Sequence, residues 1–285
     1  MPMHEALYYE KLDSKRVRCH LCPNECLIAD GGRGSCGVRR NKLGVLYAEA
    51  YGRTTGVALD PIEKKPLYRY HPGEQILSLG TKGCNLHCDF CQNWHISQQY
   101  DAPTQEISSE DVVGRAKALG SFGIAYTYNE PFIWYEFVRD TAKIARQAGL
   151  ENVLVTNGYV NMEPLEGILP LVDAMNIDLK GFDENFYSKI CRGRLGPVLD
   201  VIKRSAKACH VELTTLLIPT MNDSEEMIRK EVDWICYNCG PDTPLHFSRY
   251  FPCYKMSLPP TPAASIERAV RVAREKMKHV YAGNI

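Results

Sequence analysis

The residues of this chain best suited to chemistry are its cysteines, twelve among 285 residues. Cys84, Cys88 and Cys91 stand as Cys-x3-Cys-x2-Cys in the run Gly83-Cys84-Asn85-Leu86-His87-Cys88-Asp89-Phe90-Cys91. Iron–sulfur clusters ordinarily take four thiolates. Three on one compact loop can bind three irons of a [4Fe–4S] cluster and leave the fourth open to ligate a substrate. Gly83 allows the tight turn ahead of the first sulfur. The competing chemistry is zinc, with His87 or His95 completing the ligand set.

A second group, Cys19-x2-Cys22-x3-Cys26-x9-Cys36, packs four thiols into eighteen residues. They suit an all-thiolate zinc site or a second iron–sulfur cluster, and spacing alone does not separate the two. Gly31, Gly32 and Gly34 are not followed by Lys-Ser or Lys-Thr, which excludes a phosphate loop. Cys236 and Cys239 read as residues of a helix end before Gly240, and Cys191, Cys209 and Cys253 as small buried apolar groups.

Further candidates stand at the ends of short apolar runs. Asn129 and Glu130 follow 123–128, Thr156 and Asn157 follow 152–155, and Asp178 and Lys180 close the run at 174–179. His246 alternates with apolar neighbours in 245–250. Each also has a structural reading. Glu130 before Pro131 suits a helix start, Asp178 and Lys180 an ordinary ion pair, and His246 a satisfied core histidine.

These ends need a scaffold that brings them together. Apolar runs at 75–79, 123–128, 152–155, 174–179, 211–218 and 245–250 alternate with helical periodicity at 108–119, 132–148, 197–209, 224–237 and 263–278. Ser108, three residues ahead of Asp111, opens the first helix as a capping box does, and Gly149 closes the second. Such alternation makes right-handed βαβ units. The expected fold class is α/β: a partial (β/α)6 TIM-type barrel over 75–285, with a small amino-terminal cysteine-rich appendage over 1–74. That appendage carries short strands at 44–51 and 54–59 and a loop at 60–73. In a parallel barrel the strand ends of one polarity meet at one mouth, where active sites form.

Composition limits the alternatives. Hydrophobic residues at 45% and charged ones at 24% suit a globular core. Lys plus Arg and Asp plus Glu number 34 each, so bulk charge favours neither nucleic acid nor anionic membrane. No apolar run approaches the roughly 20 residues that span a bilayer, and the start lacks a signal-peptide layout. A cytoplasmic location is expected, where clustered thiols serve as metal ligands rather than disulfides.

The three-cysteine loop after a strand, with Phe90 before its last cysteine, resembles the signature of radical S-adenosylmethionine (SAM) enzymes. The resemblance implies that SAM chelates the open iron and that one electron from a low-potential donor cleaves it. The resulting 5′-deoxyadenosyl radical then takes a hydrogen atom from substrate. It places Asn129 and Glu130 at the SAM amino group, Thr156 and Asn157 near its sugar and methionine portion, and Lys180 at its carboxylate. Asp178, Phe90 and His246 join the same cofactor-binding set. The strand ends Val155-Thr156-Asn157-Gly158 and Asn176-Ile177-Asp178-Leu179-Lys180 resemble those of glycyl-radical-enzyme activases. Those usually carry an acidic residue before Thr-Asn-Gly as part of a monovalent-cation site; Val155 stands there and argues against one.

The segments Cys19-His20-Leu21-Cys22-Pro23, Asp60-Pro61-Ile62-Glu63-Lys64-Lys65-Pro66-Leu67 and His246-Phe247-Ser248-Arg249 narrow the likeness. They resemble the radical SAM proteins of the AmmeMemoRadiSam system, often labelled pyruvate-formate-lyase-activating-enzyme-like. That implies a functional link to AMMECR-like and Memo-like proteins, and a protein substrate giving up a glycyl hydrogen. Modification of a small molecule or RNA is the second reading, and a non-enzymatic zinc or electron-transfer protein the third. Relatives often extend beyond Tyr281-Ala282-Gly283-Asn284 into a tail with another Cys-x2-Cys.

Overall fold

The computed structural model describes residues 3–285. One eight-stranded sheet dominates it. Its strands are β1 (Gly56–Pro61), β2 (Gln75–Gly80), β3 (Gly123–Tyr126), β4 (Glu151–Thr156), β5 (Ala174–Asp178), β6 (His210–Leu217), β7 (Leu245–Arg249) and β8 (Val280–Gly283). They lie in chain order, β2 to β8 all parallel, with β1 antiparallel at the edge beside β2. Register runs Leu77↔Ile124↔Asn152 on one side and Leu213↔Leu245↔Val280 on the other. Six helices make the crossovers: α1 (Ser109–Ala118), α2 (Tyr135–Gln147), α3 (Met162–Ile168), α4 (Leu195–Ser205), α5 (Glu225–Asn238) and α6 (Ala263–Arg274). The six βα units expected from 75 onward are present, one of them completed by α3, a seven-residue helix where the sequence showed no helical stretch.

Local chemistry explains the elements. β3 is buried at every position, as a parallel strand covered on both faces must be. Ser108 and Asp111 form the reciprocal capping box. α2 buries Tyr135, Val138, Ala142 and Ala145 at helical spacing against the sheet and stops before Gly149, whose φ is +76°.

Three features differ from the sequence reading. β8 is an unforeseen seventh parallel strand, four residues long with only Val280 buried, too short for its own periodic signal. The expected strand at 54–59 is β1, but antiparallel, so it closes the sheet edge without a crossover helix. The strand expected at 44–51 shortens to Val45–Ala48 and pairs antiparallel with an unforeseen strand, Arg39–Lys42. Ahead of it, Tyr9–Lys11, Val17–Cys19 and Leu27–Ile28 make a small antiparallel sheet. The amino-terminal segment and the barrel share one core, in which Val17 and Leu46 join Leu79, Ile133 and Trp134.

Residues 62–71 cross the amino-terminal ends of the barrel strands. Ile62 and Leu67 pack with Ile76, Ala125, Val153 and Ala174. Asn176 donates to the Pro66 carbonyl at 2.8 Å, and Glu212 accepts from the Tyr68 and Arg69 amides at 3.0 and 2.7 Å. This plug closes one end, so the space inside faces the strands' carboxyl ends.

Candidate active site

The loop after β2 carries Cys84, Cys88 and Cys91. Its path is fixed by neighbours rather than by regular structure. Asn129 accepts from the Thr81 amide at 3.1 Å and donates to the Gly83 carbonyl at 2.8 Å, bracing the loop from the end of β3. Asn85 donates to the Tyr159 carbonyl at 2.6 Å. On the other flank, the His87 and Asp89 amides donate to the Cys191 and Ile190 carbonyls at 2.9 and 3.1 Å. Phe90 is buried and stacks on Phe186 with ring centroids 6.0 Å apart.

A cavity of about 680 Å³ opens beside this loop. Its walls include the three cysteines together with Phe90, Asn129, Glu130, Asn157, Asp178, Lys180 and His246. Thr156 is not on its wall but stands behind it, donating to Glu130 at 2.7 Å. Ten sequence candidates from five separate strand ends and loops therefore line one space. The barrel is what makes them neighbours.

The electrostatics are those of a site built for a charged ligand. Glu130 is 1% exposed and accepts from the Phe132 amide, Thr156 Oγ1 and the Asn157 amide at 2.9, 2.7 and 2.8 Å. It caps the turn at Pro131–Trp134 and ties β3 to β4. Burial lifts its pKa to about 7, against the downward pull of those hydrogen bonds. Lys180 Nζ lies 2.6 Å from Asp178 Oδ2. Burial works to lower the Lys180 pKa, but Asp178 and Cys88 outweigh it and raise it, so the side chain stays an ammonium. Asn157 Nδ2 points at Cys84 Sγ from 3.5 Å. The Cys84 thiol is pushed up by burial and by Glu130, and that of Cys88 by its hydrogen bond with Cys191 and by burial.

His246 sits between two aromatic rings, stacked on Tyr281 with centroids 5.0 Å apart and edge-on to Tyr68 at 4.8 Å. Its Nε2 meets Glu212 Oε2 at 2.6 Å. Glu212, fully buried, is held near pH 2: burial would raise it, but donors from His210, His246 and the Tyr68 and Arg69 amides win. His246 is thus both a satisfied histidine and part of the cavity wall.

The amino-terminal cysteines lie apart from this cavity but against the loop. Cys19, Cys22 and Cys36 are buried and Cys26 is partly so. Among the described residues no three His, Cys, Asp or Glu side chains close on one point as a single metal ion requires. Cys236 and Cys239 sit at the end of α5, with Cys239 as its cap.

Sequence reasoning missed Glu212, Tyr68, Asn85 and Cys191. Glu212 carried a signal, a lone carboxylate inside an apolar strand, which is stable only if partnered. Cys191 carried none: it meets Cys88 across 103 residues through a short π-helical turn, Tyr187–Cys191.

The residues present fit the groups the sequence motif implies. Three thiols share one loop at the cavity, and the wall offers carboxylates and an ammonium to complement an amino acid's two charges. The volume is within the range of ordinary ligand pockets, about 300–1,000 Å³. No helix among the described residues is long and apolar enough to cross a membrane.

Comparison with known proteins agrees. An uncharacterized protein of Methanocaldococcus jannaschii is 47% identical over 288 residues, covering 99% of this chain and 86% of that protein. The pyruvate formate-lyase-activating enzyme of Clostridium pasteurianum is 26% identical over 161 residues, 52% of this chain and 64% of the enzyme, just under two thirds of its length. The crystal structure of a radical SAM methyltransferase from Sphaerobacter thermophilus has the same fold, with a TM-score of 0.58 at 14% identity over 99% of this chain and 77% of that one. The Radical SAM superfamily profile matches residues 78–232, from β2 into α5. A three-cysteine loop after the first parallel strand of a partial barrel, over a matched span of more than half its length, places this chain in the radical SAM superfamily of enzymes, which bind a [4Fe–4S] cluster and SAM.

Proposed function

We propose that Cys84, Cys88 and Cys91 hold the [4Fe–4S] cluster and that SAM binds in the adjoining cavity to start hydrogen abstraction from a protein substrate, as a glycyl-radical activase does. The observation that carries this reading is the convergence of the three thiols, Lys180, Asp178, Glu130, Asn157 and His246 on one space. When bound, the pair of cofactors supplies one-electron cleavage of the sulfonium and the 5′-deoxyadenosyl radical. The chain's own residues do the rest.

Lys180 has three N–H donors and gives one to Asp178, so two remain for a carboxylate. Glu130 Oε2 accepts one backbone bond and keeps a lone pair for an ammonium, whose approach would hold the carboxyl ionised near neutral pH. Thr156 positions Glu130 and does not itself reach the cavity. Asn157 orients Cys84, and Asn129 fixes the loop's backbone. Phe90 covers the cluster side of the pocket and His246 its far wall. Residues 62–68 keep water from entering at the closed end.

A protein substrate is supported by the name of the Clostridium relative, which activates another enzyme. The amino-terminal module (1–74), the barrel (75–285), a low-potential electron donor and a functional link to AMMECR-like and Memo-like partners belong to the same proposal. The test is anaerobic reconstitution with iron, sulfide, dithionite and SAM. 5′-Deoxyadenosine is expected from the native chain and none from the variant Cys84→Ala/Cys88→Ala/Cys91→Ala. A glycyl doublet in the electron paramagnetic resonance (EPR) spectrum of an added partner would identify the substrate class. 5′-Deoxyadenosine formation by the triple variant at the native rate would end the reading.

A further inference from the structure

Four thiols that the barrel site does not use, three of them buried, lie against its three-cysteine loop. We infer that Cys19, Cys22, Cys26 and Cys36 hold a second [4Fe–4S] cluster that relays the electron to the cluster of the Cys84 loop. The inference rests on the functional reading above for the acceptor, and on separate observations for the donor.

The four residues are drawn together by contacts between segments, not by spacing alone. The Cys19 amide donates to the Cys26 carbonyl at 3.0 Å, closing the first loop. The Ser35 amide and its hydroxyl both stand 3.4 Å from Cys26 Sγ, bringing the segment of Cys36 onto that loop. Arg39 Nη1 lies 3.8 Å from Cys19 Sγ. N–H groups aimed at cysteine sulfurs are the usual outer partners of a bound iron–sulfur cluster.

Charge points the same way. Arg39 is 1% exposed, and its Nε has no hydrogen-bond partner among the described residues. Its partner Glu136 is equally buried and also has one oxygen without a partner. Glu136 pairs with Arg39 Nη2 and the Leu7 carbonyl accepts from Nη1 at 2.8 Å, which leaves Nε as the orphaned donor, and a buried donor without an acceptor is costly. Thiolate sulfurs would add acceptors and negative charge there, and Cys19 is the sulfur Arg39 Nη1 faces.

Position favours a relay cluster over zinc. A Cβ at Gly83 would sit 2.4 Å from the Cys36 carbonyl oxygen, so the backbone of one sulfur set touches the residue before Cys84. Asn24 Nδ2 bridges the two sets, donating to Ser35 Oγ at 3.1 Å and to the Asn85 carbonyl at 2.8 Å.

The electron balance is simple. A one-electron, low-potential donor reduces the second cluster from the 2+ to the 1+ state. That cluster returns to 2+ as it passes the electron to the Cys84-loop cluster, which goes from 2+ to 1+. No proton or bond is exchanged. Zinc has no redox chemistry and could not take part.

The test uses the full chain, reconstituted anaerobically with iron and sulfide and assayed for iron, zinc and EPR signals. Native protein should carry about eight irons, and the variants Cys84→Ala/Cys88→Ala/Cys91→Ala and Cys22→Ala/Cys36→Ala about four each. Reduced native protein should show two signals, only one of which shifts on adding SAM, so the result does not depend on the variants folding. About four irons with stoichiometric zinc in the native chain, and one signal that SAM shifts, would overturn the second cluster while leaving the SAM site intact. If no signal shifts with SAM, it is the functional reading that fails. Slow mixing of the cysteine-pair variant with reduced viologen should give a loss of rate in the SAM-sensitive signal; an unchanged rate with four irons bound overturns the relay.

Discussion

Replacing Gly83 by Ala is the sharpest test of how the two cysteine segments are joined. Gly83 has φ +90°, and a Cβ there would meet the Cys36 carbonyl oxygen at 2.4 Å and Val38 Cγ1 at 3.0 Å. The left-handed backbone costs an L-residue roughly 1–2 kcal/mol. Overpacking adds about 1–3 kcal/mol, towards the upper end here because a backbone carbonyl cannot swing aside. The sum, about 3–5 kcal/mol, is a large share of the roughly 5–15 kcal/mol that holds a protein folded. In urea, at a slope of about 3 kcal/mol per molar, the metal-free midpoint should fall by at least about 1 M. The control is Gly114→Ala, mid-helix on α1 with open space around it, which should gain up to about 1 kcal/mol. Reconstituted Gly83→Ala should also take up less iron at the Cys84 loop. If its midpoint matches that of Gly114→Ala, the two segments do not touch in solution and the coupling argued from that contact is wrong.

Three further outcomes are expected. Glu231 on α5 is buried with, among the described residues, only Thr215 Oγ1 donating to it, and burial raises its pKa from 4.5 to about 8. A raised carboxyl favours the protonated fold, so stability should be greatest below pH 4.5 and fall by a few kcal/mol as pH climbs to about 8. Glu231→Gln should flatten that slope in urea titrations across the window, and parallel slopes would refute the assignment. Glu212→Gln turns two of four accepted hydrogen bonds into donor–donor conflicts, about 1–3 kcal/mol each. It should speed amide exchange at Tyr68 and Arg69, and unchanged exchange would mean that Glu212 does not anchor this segment. Arg39→Met leaves the buried Glu136 with the Leu7 amide but without its charge partner, a loss of about 3–5 kcal/mol. Adding Glu136→Leu should recover much of it by thermal melting, and no recovery would show that Arg39 acts through the sulfurs alone.

Some of this architecture was legible residue by residue. The helix from Ser108 announced itself through its capping box, and β3 through an unbroken apolar run. The three cysteines after β2 carried their own chemistry because all three lie within eight residues of one another. β8 and the small amino-terminal sheet escaped notice because strands of two to four residues complete no period. The direction of β1 was hidden for a different reason. Alternation fixes which face a side chain takes, not whether the neighbouring strand runs with it or against it.

The sequence by itself determined the reaction class, because ligand type and spacing within one loop are local properties that no distant contact needs to complete. It also determined the order of six parallel strands and of the five longer helices, through apolar periodicity. Only the tertiary structure decided which polar groups meet. Glu212 reaches His246 across 34 residues, Cys191 reaches Cys88 across 103, and Cys36 lies on Gly83. Those meetings follow from how the barrel closes and where its appendage packs. Closure is set by the summed burial of a whole core, and no short stretch of residues encodes it.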